Sequence, residues 1–363
     1  MTALRVIAPG ATVGILGGGQ LGRMTALAAA ALGYRTHIFC QTADEPAAQV
    51  TNTRTLGAFS DLAALEKFAG TVDVITLEWE NIPVASIAAL QAITAVHPGC
   101  RALEVAQDRV HEKAFARQCG LGTTDYVAID SAAGLAAALP RQAGAAIMKT
   151  RRLGYDGKGQ IRLSPNADPE AAWAYLGKVP AILETMVDFA CEISVIVARR
   201  GDGAMAVFPP GRNQHQDGIL ATTHAPAELS PALRQEAEAA AQTMAAHLEL
   251  VGLLAVEMFV LRKPNAAGQS VLVNEIAPRP HNSGHWTMDA CATSQFEQLI
   301  RAVCGLPLGD VTPRGRAIMY NLIGDAVRDW DTWLRTPQAH VHLYGKSEIR
   351  PGRKMGHVTV IST

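Results

Sequence analysis

The sequence predicts an α/β protein made of three units that pack against one another, and three observations carry this prediction. The chain has 363 residues, which is more than one ordinary hydrophobic core needs. Its first hundred residues alternate strand-like and helix-like segments, as a doubly wound parallel sheet does. Two later stretches carry strands and helices of their own, and no low-complexity linker or fixed-period repeat separates the units.

Composition excludes several classes of protein. Hydrophobic residues make up 48%, charged residues 18%, and the formal net charge is -1. This is neither a disordered tail nor a broadly basic surface, so we expect no nucleic-acid partner. The start of the chain lacks the features of a signal peptide, and we expect no membrane span. The cysteines form no C-x-x-C pair, which favours a reducing cytoplasm over a disulfide framework or zinc knuckle; they stand at positions 40, 100, 119, 191, 291 and 304.

The N-terminal unit opens with a strand, a turn and a helix. "TVGIL" is typical of a buried parallel strand, "GGGQLG" of a turn, and "RMTALAAAALG" of a helix that ends near Gly33. The segments "RTHIFC" and "VDVITLE" predict the next strands of the same sheet. We therefore expect a doubly wound domain over about residues 1–105.

The first turn has the spacing of a dinucleotide-binding motif. Gly17, Gly19 and Gly22 stand in G-x-G-x-x-G register between strand and helix, where main-chain N–H groups can meet a pyrophosphate. The acid that should bind the ribose is missing, because the second strand ends in Cys40 and Gln41. Three interpretations stay open at this point: a nicotinamide or flavin site, a structural turn, or a site for another phosphorylated ligand.

A second glycine-rich segment, "KTRRLGYDGKGQ", follows a short apolar strand. It is not a Walker A motif, because Lys158 is followed by Gly159 and Gln160 where that motif has Ser or Thr. A glycine-rich hairpin preceded by Lys149 could still place a cation on the phosphates of a nucleotide. The alternative is an ordinary basic hairpin.

Two carboxylates stand inside apolar strands of the third unit. Glu257 lies in "LLAVEMF" and Glu275 in "VLVNEIAP", after a helix predicted to be capped by Ser230. An unpaired charge there costs several kcal/mol, so a cationic group should meet each carboxylate. Mg²⁺ is one candidate, with Asn274 as a further oxygen donor, and salt bridges to lysine or arginine are the alternative.

The segment "PRPHNSGHW" predicts a ligand-binding loop, because it combines polar side chains with residues that break regular structure. Its spacing H-x-x-x-H suggests zinc, yet it lacks the glutamate of H-E-x-x-H and a helix to carry it. The segment "HEKAF" at His111 lacks the second histidine. The polar residues of the loop are Arg279, His281, Asn282, Ser283 and His285.

Two further segments are richer in polar residues than a scaffold requires, although each could be a solvated surface. "TLEWENIP" places Glu78 and Glu80 at the end of the third strand, the edge where open α/β sheets bind ligands. "YGKSEIRPGRKMGH" could bind a phosphate through its cations. These cations are Lys346, Arg350, Arg353 and Lys354.

Six segments, taken in order, closely resemble one family of ATP-grasp ligases, the 5-(carboxyamino)imidazole ribonucleotide synthases of purine biosynthesis. They are "GILGGGQLGRM", "TLEWENI", "KTRRLGYDGKGQ", "NQHQDGI", "VNEIAPRPHNSGHW" and "KSEIRPGRKMGH". The resemblance implies a three-domain ATP-grasp fold: an N-terminal Rossmann-like domain over 1–105, a central lid over 106–185 and a C-terminal domain over 186–363. It also implies that the first turn faces the phosphate of 5-aminoimidazole ribonucleotide rather than NAD.

The resemblance assigns site residues by position. Glu257 and Glu275 would hold magnesium, as two ions. ATP would be bound by Arg109, Lys149, Gly154, Tyr155, Asp156, Gly157, Lys158, Gly159, Gln160, Glu184, Thr185, Met186, Val187, Glu192, His215 and Asn274. The ribonucleotide would contact some of Gln20, Leu21, Glu78, Glu80, Tyr155, Asp156, Lys158, Arg279, His281, Asn282, Ser283, Lys346 and Arg353.

The implied reaction joins bicarbonate to the amine of 5-aminoimidazole ribonucleotide through carboxyphosphate, with ATP hydrolysed to ADP and phosphate. The catalytic candidates are Arg279 for bicarbonate, Lys149 for the transferring phosphoryl group, and Asp156 or His281 for the amine. The family suggests a cytoplasmic homodimer. The alternatives are another ATP-grasp carboxylate–amine ligase and a nicotinamide-dependent oxidoreductase, which would leave Glu257 and Glu275 unexplained.

Overall fold

Three sheets organise the chain, and each is built from one contiguous part of the sequence. The computed structural model describes residues 5–142, 144–154 and 157–362. None of the helices in those ranges is long and apolar enough to cross a membrane. Tyr155 and Asp156, for which the sequence predicted contacts with both substrates, lie outside the described residues.

The N-terminal sheet is parallel with strand order β3-β2-β1-β4-β5, which is a doubly wound topology. Because β1 pairs with β4, the turn after β1 and the segment after β4 meet at one edge of the sheet. Its strands are β1 (Thr12–Leu16), β2 (Arg35–Cys40), β3 (Thr53–Leu56), β4 (Val74–Leu77) and β5 (Ala95–Val96). The helices are α1 (Gln20–Ala31), α2 (Leu62–Ala69), α3 (Val84–Gln91), α4 (Cys100–Ala106) and α5 (Arg109–Gln118).

The central sheet is small and antiparallel, with strand order β6-β9-β7-β8. The second glycine-rich segment joins β7 to β8 as the sequence predicted, because these strands form a hairpin with Lys149 opposite Gln160. The elements are β6 (Tyr126–Ile129), α6 (Ala132–Ala138), β7 (Ala146–Thr150), β8 (Gln160–Leu163), α7 (Pro169–Tyr175) and β9 (Ala181–Thr185).

The third sheet has nine strands and carries the two buried carboxylates on β14 and β15. Its strands are β10 (Phe189–Arg199), β11 (Met205–Val207), β12 (Gly211–Gln216), β13 (Ile219–Ala225), β14 (Gly252–Leu261), β15 (Val271–Ala277), β16 (Arg316–Ile323), β17 (Ala339–Leu343) and β18 (Lys354–Ser362). Its helices are α8 (Pro231–His247), α9 (Thr287–Ala290), α10 (Gln295–Val303) and α11 (Trp330–Leu334).

Most predicted elements are confirmed, with two corrections. The Ser230 side chain accepts a hydrogen bond from the Leu233 amide and so caps α8 as expected. The first helix begins at Gln20, three residues before the predicted start, because the turn glycines lead directly into it. The stretch 181–200 alternates along its length as strands of one unit do, yet it divides between β9 of the central sheet and β10 of the large sheet.

Candidate active site

Glu257 and Glu275 face each other across β14 and β15. They are Cα partners in the antiparallel ladder, and the register shifts immediately after Glu257. Arg109 Nη1 lies 2.9 Å from Glu275 Oε2, so the salt-bridge alternative accounts for Glu275. Glu257 Oε1 lies 3.1 Å from His281 Nε2. Burial lowers the pKa of His281 to about 3, an effect that Arg279 reinforces, so this partner is a neutral ring at physiological pH.

The electrostatics of this pair favour a further cation. Burial raises the pKa of Glu257, and the charge of Glu275 raises it further. Burial also opposes ionisation of Glu275, but Arg109 outweighs burial and lowers its pKa. Asn274 Oδ1 is buried and has no hydrogen-bond partner among the described residues. Two carboxylates and an orphaned amide oxygen are donors that Mg²⁺ prefers, so these residues fit a magnesium site.

The loop after β15 fixes His281 from several sides. Its main-chain N–H donates to Gln295 Oε1 at 2.9 Å, and its Nδ1 lies 2.8 Å from the Ser283 hydroxyl. Ser283 is 1% exposed and accepts a hydrogen bond from Ser194 at 2.7 Å. Of the predicted substrate contacts in this loop, Ser283 therefore holds the His281 ring in place. Asn282 instead lines two adjoining cavities of the site.

Arg279 is held by Glu80 in a two-pronged ion pair. Its Nε and Nη2 contact the two carboxylate oxygens of Glu80, and its Nη1 donates to the Pro280 carbonyl at 3.0 Å. Burial raises the pKa of Glu80, but Arg279 outweighs burial and the net pKa is lowered. A guanidinium oriented in this way presents its remaining N–H groups in a fixed direction.

Glu78 occupies the first glycine-rich turn. Its two carboxylate oxygens accept hydrogen bonds from the amides of Gly19 and Gly22, the latter at 2.6 Å. These are the N–H groups expected to meet a ligand phosphate. In this structure these two amides are therefore paired with Glu78, and the expectation that the turn faces the ribonucleotide phosphate stays a prediction. Gly17 has φ +111° and a Cβ there would lie 2.4 Å from Glu78 Cγ, which explains the need for glycine.

Lys149 and Glu184 form a buried ion pair at the lid. Lys149 Nζ lies 3.0 Å from Glu184 Oε2, and Lys113 Nζ lies 3.4 Å from Glu184 Oε1. On the large sheet, His215 Nδ1 lies 2.5 Å from Glu192 Oε2. Burial lowers the pKa of His215, but Glu192 and nearby Glu257 outweigh burial and raise it overall.

Two adjoining cavities meet at the carboxylate pair. The larger has a volume of about 450 Å³ and lies between the N-terminal sheet and the large sheet. The smaller has a volume of about 240 Å³ and lies between the lid hairpin and the large sheet. Both are lined by Arg109, Glu257, Glu275, His281, Asn282 and Lys354. A group transferred between molecules in the two cavities would therefore pass this shared wall.

The predicted site residues divide between these cavities. The smaller is lined by the predicted nucleotide residues Arg109, Lys149, Gly157, Lys158, Gly159, Gln160, Glu192, His215 and Asn274. The larger is lined by the predicted ribonucleotide residues Gln20, Leu21, Glu78, Glu80, Arg279, His281 and Asn282, and also by Gly154. Lys158, predicted for both substrates, lines the smaller cavity alone.

Other predicted residues lie away from both cavity walls. Glu184 lies behind Lys149, and the Thr185 hydroxyl donates to Gln142. Met186 and Val187 continue the same segment. Lys346 Nζ donates to the main-chain carbonyl of Lys354 at 2.7 Å, and Arg353 Nη1 donates to the Glu348 carbonyl at 2.8 Å. The basic loop therefore borders the larger cavity through Lys354.

Sequence reasoning missed several lining residues. Gln107 Nε2 donates to the carbonyls of Glu80 and Ile82, so it fixes the segment that carries Glu80, the ion-pair partner of Arg279. Lys354 follows Arg353 in the basic segment, but of that pair only Arg353 was assigned to the ribonucleotide. The larger cavity also has these unassigned residues on its wall: Trp79, Asn81, Glu112 and Arg151.

Comparison with known proteins gives three consecutive matches to family models. Residues 10–107 match the ribonucleotide synthetase preATP-grasp domain, residues 114–296 the ATP-grasp domain, and residues 317–363 the phosphoribosylaminoimidazole carboxylase C-terminal domain. The chain is 48% identical to the N5-carboxyaminoimidazole ribonucleotide synthase of Brucella melitensis, over 97% of each protein. It is 44% identical to the bifunctional purine synthesis protein purC/E of Dictyostelium discoideum, but spans only 37% of that protein's length.

Solved structures give the same result. The ADP complex of purK, an N5-carboxyaminoimidazole ribonucleotide synthetase, superposes with a TM-score of 0.94 at 41% identity, covering 100% of this chain and 94% of the other. The Aspergillus clavatus synthase in complex with ADP and 5-aminoimidazole ribonucleotide superposes with a TM-score of 0.89 at 30% identity, covering 97% and 94%.

The fold and the paired carboxylates between two cavities define this protein as an ATP-grasp ligase. Within that class, the chain belongs to the N5-carboxyaminoimidazole ribonucleotide synthase family. The nicotinamide oxidoreductase alternative is wrong, because the family models and relatives that match the chain are those of ATP-grasp ligases.

Proposed function

We propose that this chain catalyses the ATP-dependent carboxylation of 5-aminoimidazole ribonucleotide with bicarbonate in purine biosynthesis. The products are N5-carboxyaminoimidazole ribonucleotide, ADP and phosphate. The observation that carries the proposal is the wall of Glu257 and Glu275 shared by two cavities, since the reaction needs a nucleotide and an acceptor on either side of one transfer point. The names of its relatives, and the ligands in the Aspergillus clavatus complex, support the same choice of substrates.

We assign ATP to the smaller cavity. Lys149, the lid residues 157–160 and His215 line it, so cationic groups and main-chain amides of the lid face the space where phosphates would lie. The adenine edge of the nucleotide would lie along the segment Glu184, Thr185, Met186 and Val187. The ribonucleotide then occupies the larger cavity, with the basic loop around Lys346 and Arg353 near its phosphate. We assign the three domains, 1–105, 106–185 and 186–363, to these sheets on the same basis.

We assign magnesium to Glu257 and Glu275, with Asn274 Oδ1 beside them. Bound there, magnesium would supply positive charge to the phosphate oxygens of ATP and so assist phosphoryl transfer. The donor set fits this role because Glu257 faces a neutral ring and Asn274 Oδ1 lacks a hydrogen-bond partner among the described residues.

The chemistry must activate bicarbonate, which is a poor electrophile. Transfer of the terminal phosphoryl group of ATP to bicarbonate gives carboxyphosphate, in which phosphate is a good leaving group. Lys149 at the smaller cavity is placed to stabilise the transferring phosphoryl group, and Arg279 at the larger cavity is placed to bind the bicarbonate carboxylate. Glu80 keeps Arg279 in that orientation through its two-pronged ion pair.

The amine of the ribonucleotide then attacks carboxyphosphate or the carbon dioxide released from it. Our candidate to orient this amine is His281 or Asp156. Both ring nitrogens of His281 are engaged, Nε2 with Glu257 and Nδ1 with Ser283. Contact between His281 and the amine therefore requires Nε2 to leave Glu257, while Ser283 keeps the ring in place. Closure of the lid loop would exclude water from carboxyphosphate.

Two properties of the family extend the proposal. We propose a homodimer, and a cytoplasmic location that accords with the described cysteines, all of which are free thiols. Size-exclusion chromatography with light scattering measures the first, and fractionation of the source cells measures the second.

The first test is ADP release by purified protein with Mg²⁺ and ATP, in buffer depleted of carbon dioxide. Bicarbonate alone, 5-aminoimidazole ribonucleotide alone and both together are compared. ADP should form fastest with both substrates, and Glu275→Gln should lower that rate by about 10³-fold because one carboxylate of the metal site is lost. Glu66→Gln, at an exposed residue of α2, is the matched control. A rate that does not respond to the ribonucleotide would show that another amine is the acceptor.

A further inference from the structure

Helix α5 buries two consecutive charged residues. Glu112 is 2% exposed and Lys113 is 1% exposed. They belong to the segment "HEKAF", whose spacing excluded a zinc motif and left its charges without a role. Burying a charge is costly unless it is paired and hydrogen-bonded, so the partners of these side chains should explain why they are charged.

Lys113 connects the lid to the strand that carries the metal ligands. Its Nζ lies 3.3 Å from the main-chain carbonyl oxygen of Asn274 on β15. The same Nζ lies 3.4 Å from Glu184 Oε1 on β9, and the other oxygen of Glu184 lies 3.0 Å from Lys149 Nζ. Burial lowers the pKa of Lys113, whereas Glu184 opposes this shift. One ammonium group thus contacts β15, whose Asn274 and Glu275 line the smaller cavity, and also Glu184, which pairs with Lys149 on the wall of that cavity.

The neighbouring contacts act on the same short segment of β15. Glu112 accepts a hydrogen bond from the main-chain N–H of Ile276, and Arg109 pairs with the side chain of Glu275. A single stretch of α5 therefore holds the residue before Glu275, the residue after it, and its carboxylate. Lys113 is the only one of the three α5 side chains that lines neither cavity.

We propose that Lys113 is a positioning residue of the nucleotide site, which keeps Lys149 and the Asn274–Glu275 segment in one fixed arrangement. It acts through Glu184 on Lys149, and through a main-chain carbonyl on the donors of the metal site. The inference rests on the proposed function, because it assumes that ATP occupies the smaller cavity. It predicts that loss of Lys113 weakens nucleotide binding and leaves ribonucleotide binding unchanged.

The test measures binding of a non-hydrolysable ATP analogue with Mg²⁺, and separately of 5-aminoimidazole ribonucleotide, by calorimetry. Lys113→Met should weaken analogue binding about tenfold, because a buried charged contact is lost and Glu184 then pairs with Lys149 alone. Lys113→Gln keeps a donor for the Asn274 carbonyl and should weaken binding about threefold. Ribonucleotide affinity should stay within about twofold for both variants. Lys67→Met, at an exposed lysine of α2, is the matched control.

The outcomes separate the inference from the proposed function. A folded Lys113→Gln variant that binds the analogue as tightly as wild type overturns the inference, and this variant serves if Lys113→Met does not fold. Equal losses of affinity for the analogue and the ribonucleotide also overturn it, since a general structural role would give that result. A wild-type chain that fails to bind the analogue overturns the assignment of ATP to the smaller cavity, and the inference with it.

Discussion

Two glycine-rich segments of this chain look similar in sequence but have different uses. In the turn at 17–22, the amides of Gly19 and Gly22 donate to the chain's own Glu78. In the loop at 154–160, the described residues 157–160 line the smaller cavity. Glycine spacing alone therefore does not identify a phosphate site. A glycine-rich segment can bind a phosphate only if its N–H groups do not already donate hydrogen bonds to a side chain from elsewhere in the fold.

The largest effect should come from a Cβ added inside the occupied turn. Gly17→Ala should lower the free energy of unfolding by about 3 kcal/mol, because φ +111° is strained for alanine and its Cβ would meet Glu78. Urea unfolding measures this change. Gly120→Ala is the control for the backbone alone, since Gly120 has φ +76° and no atom of the described residues lies within 4 Å of its Cβ position. Equal losses in the two variants would mean that Glu78 does not explain the glycine.

The corresponding change in the lid loop should affect binding instead. Gly159 has φ +70°, and a Cβ there would lie 2.8 Å from Thr150 Oγ1, so Gly159→Ala should displace the loop. We expect the KM for ATP to rise about tenfold. The control is Gly177→Ala, at φ +80° with no atom of the described part of the chain within 4 Å of the Cβ position. It should match Gly159→Ala in stability and leave the KM for ATP unchanged. An unchanged KM for Gly159→Ala would separate the loop from the nucleotide.

The carboxylate pair should make Mg²⁺ binding in the smaller cavity depend on pH. Burial and then Glu275 raise the pKa of Glu257, so part of it is protonated near neutral pH. A metal needs the ionised form, and with the pKa of Glu257 at about 8 the affinity for Mg²⁺ should therefore rise about fifteenfold from pH 6.5 to 8. The Mg²⁺ dependence of ADP release measures this. Glu257→Gln should bind Mg²⁺ more weakly and with a smaller pH dependence. A wild-type affinity for Mg²⁺ that does not change with pH would contradict the assignment of Mg²⁺ to Glu257.

The elements were easier to predict from the sequence than the contacts between them. The strands "TVGIL" and "RTHIFC" were predicted with their observed bounds, because each is a short run rich in β-branched or aromatic residues next to a glycine-containing turn. The sequence predicted that a cationic group meets Glu275, but it did not predict which residue provides that group. Its identity as Arg109 depends on α5 crossing β15, which links positions far apart in the chain. Glu78 shows the same limit, since its bonds to the turn follow from the pairing of β1 with β4.

The site was recovered where a segment carried several polar residues. Lys149, Glu257 and Glu275 were all named from the sequence and line the smaller cavity, and their roles there stay predictions. Lys113 was not predicted, because a lysine on a helix normally reaches solvent and nothing local indicates that this one is buried. Assignments that depend on bound substrates, such as those of Lys346 and Arg353, stay predictions.

The smallest effect distinguishes two carboxylates that stand two positions apart. Burial raises the pKa of Glu78, against the opposing amides of Gly22 and Gly19. A raised folded-state pKa means that its contribution to stability is present below the ordinary value of 4.5 and is lost as pH rises. Burial also raises the pKa of Glu80, but Arg279 reverses the net shift, so the contribution of Glu80 is present above 4.5 and is lost as pH falls.

Glutamine does not ionise, and the two variants should therefore differ from wild type in opposite directions. As pH rises above about 4.5, the unfolding free energy of wild type should fall relative to Glu78→Gln. As pH falls below about 4.5, it should fall relative to Glu80→Gln, so that its slope against pH has the opposite sign. Urea unfolding at several pH values measures both differences, and each variant serves as the control for the other. Slopes of the same sign would mean that the turn amides stabilise the ionised Glu78 more than burial opposes it. The turn would then be an anion site filled by the chain itself, and its contrast with the lid loop would lie only in the source of the anion.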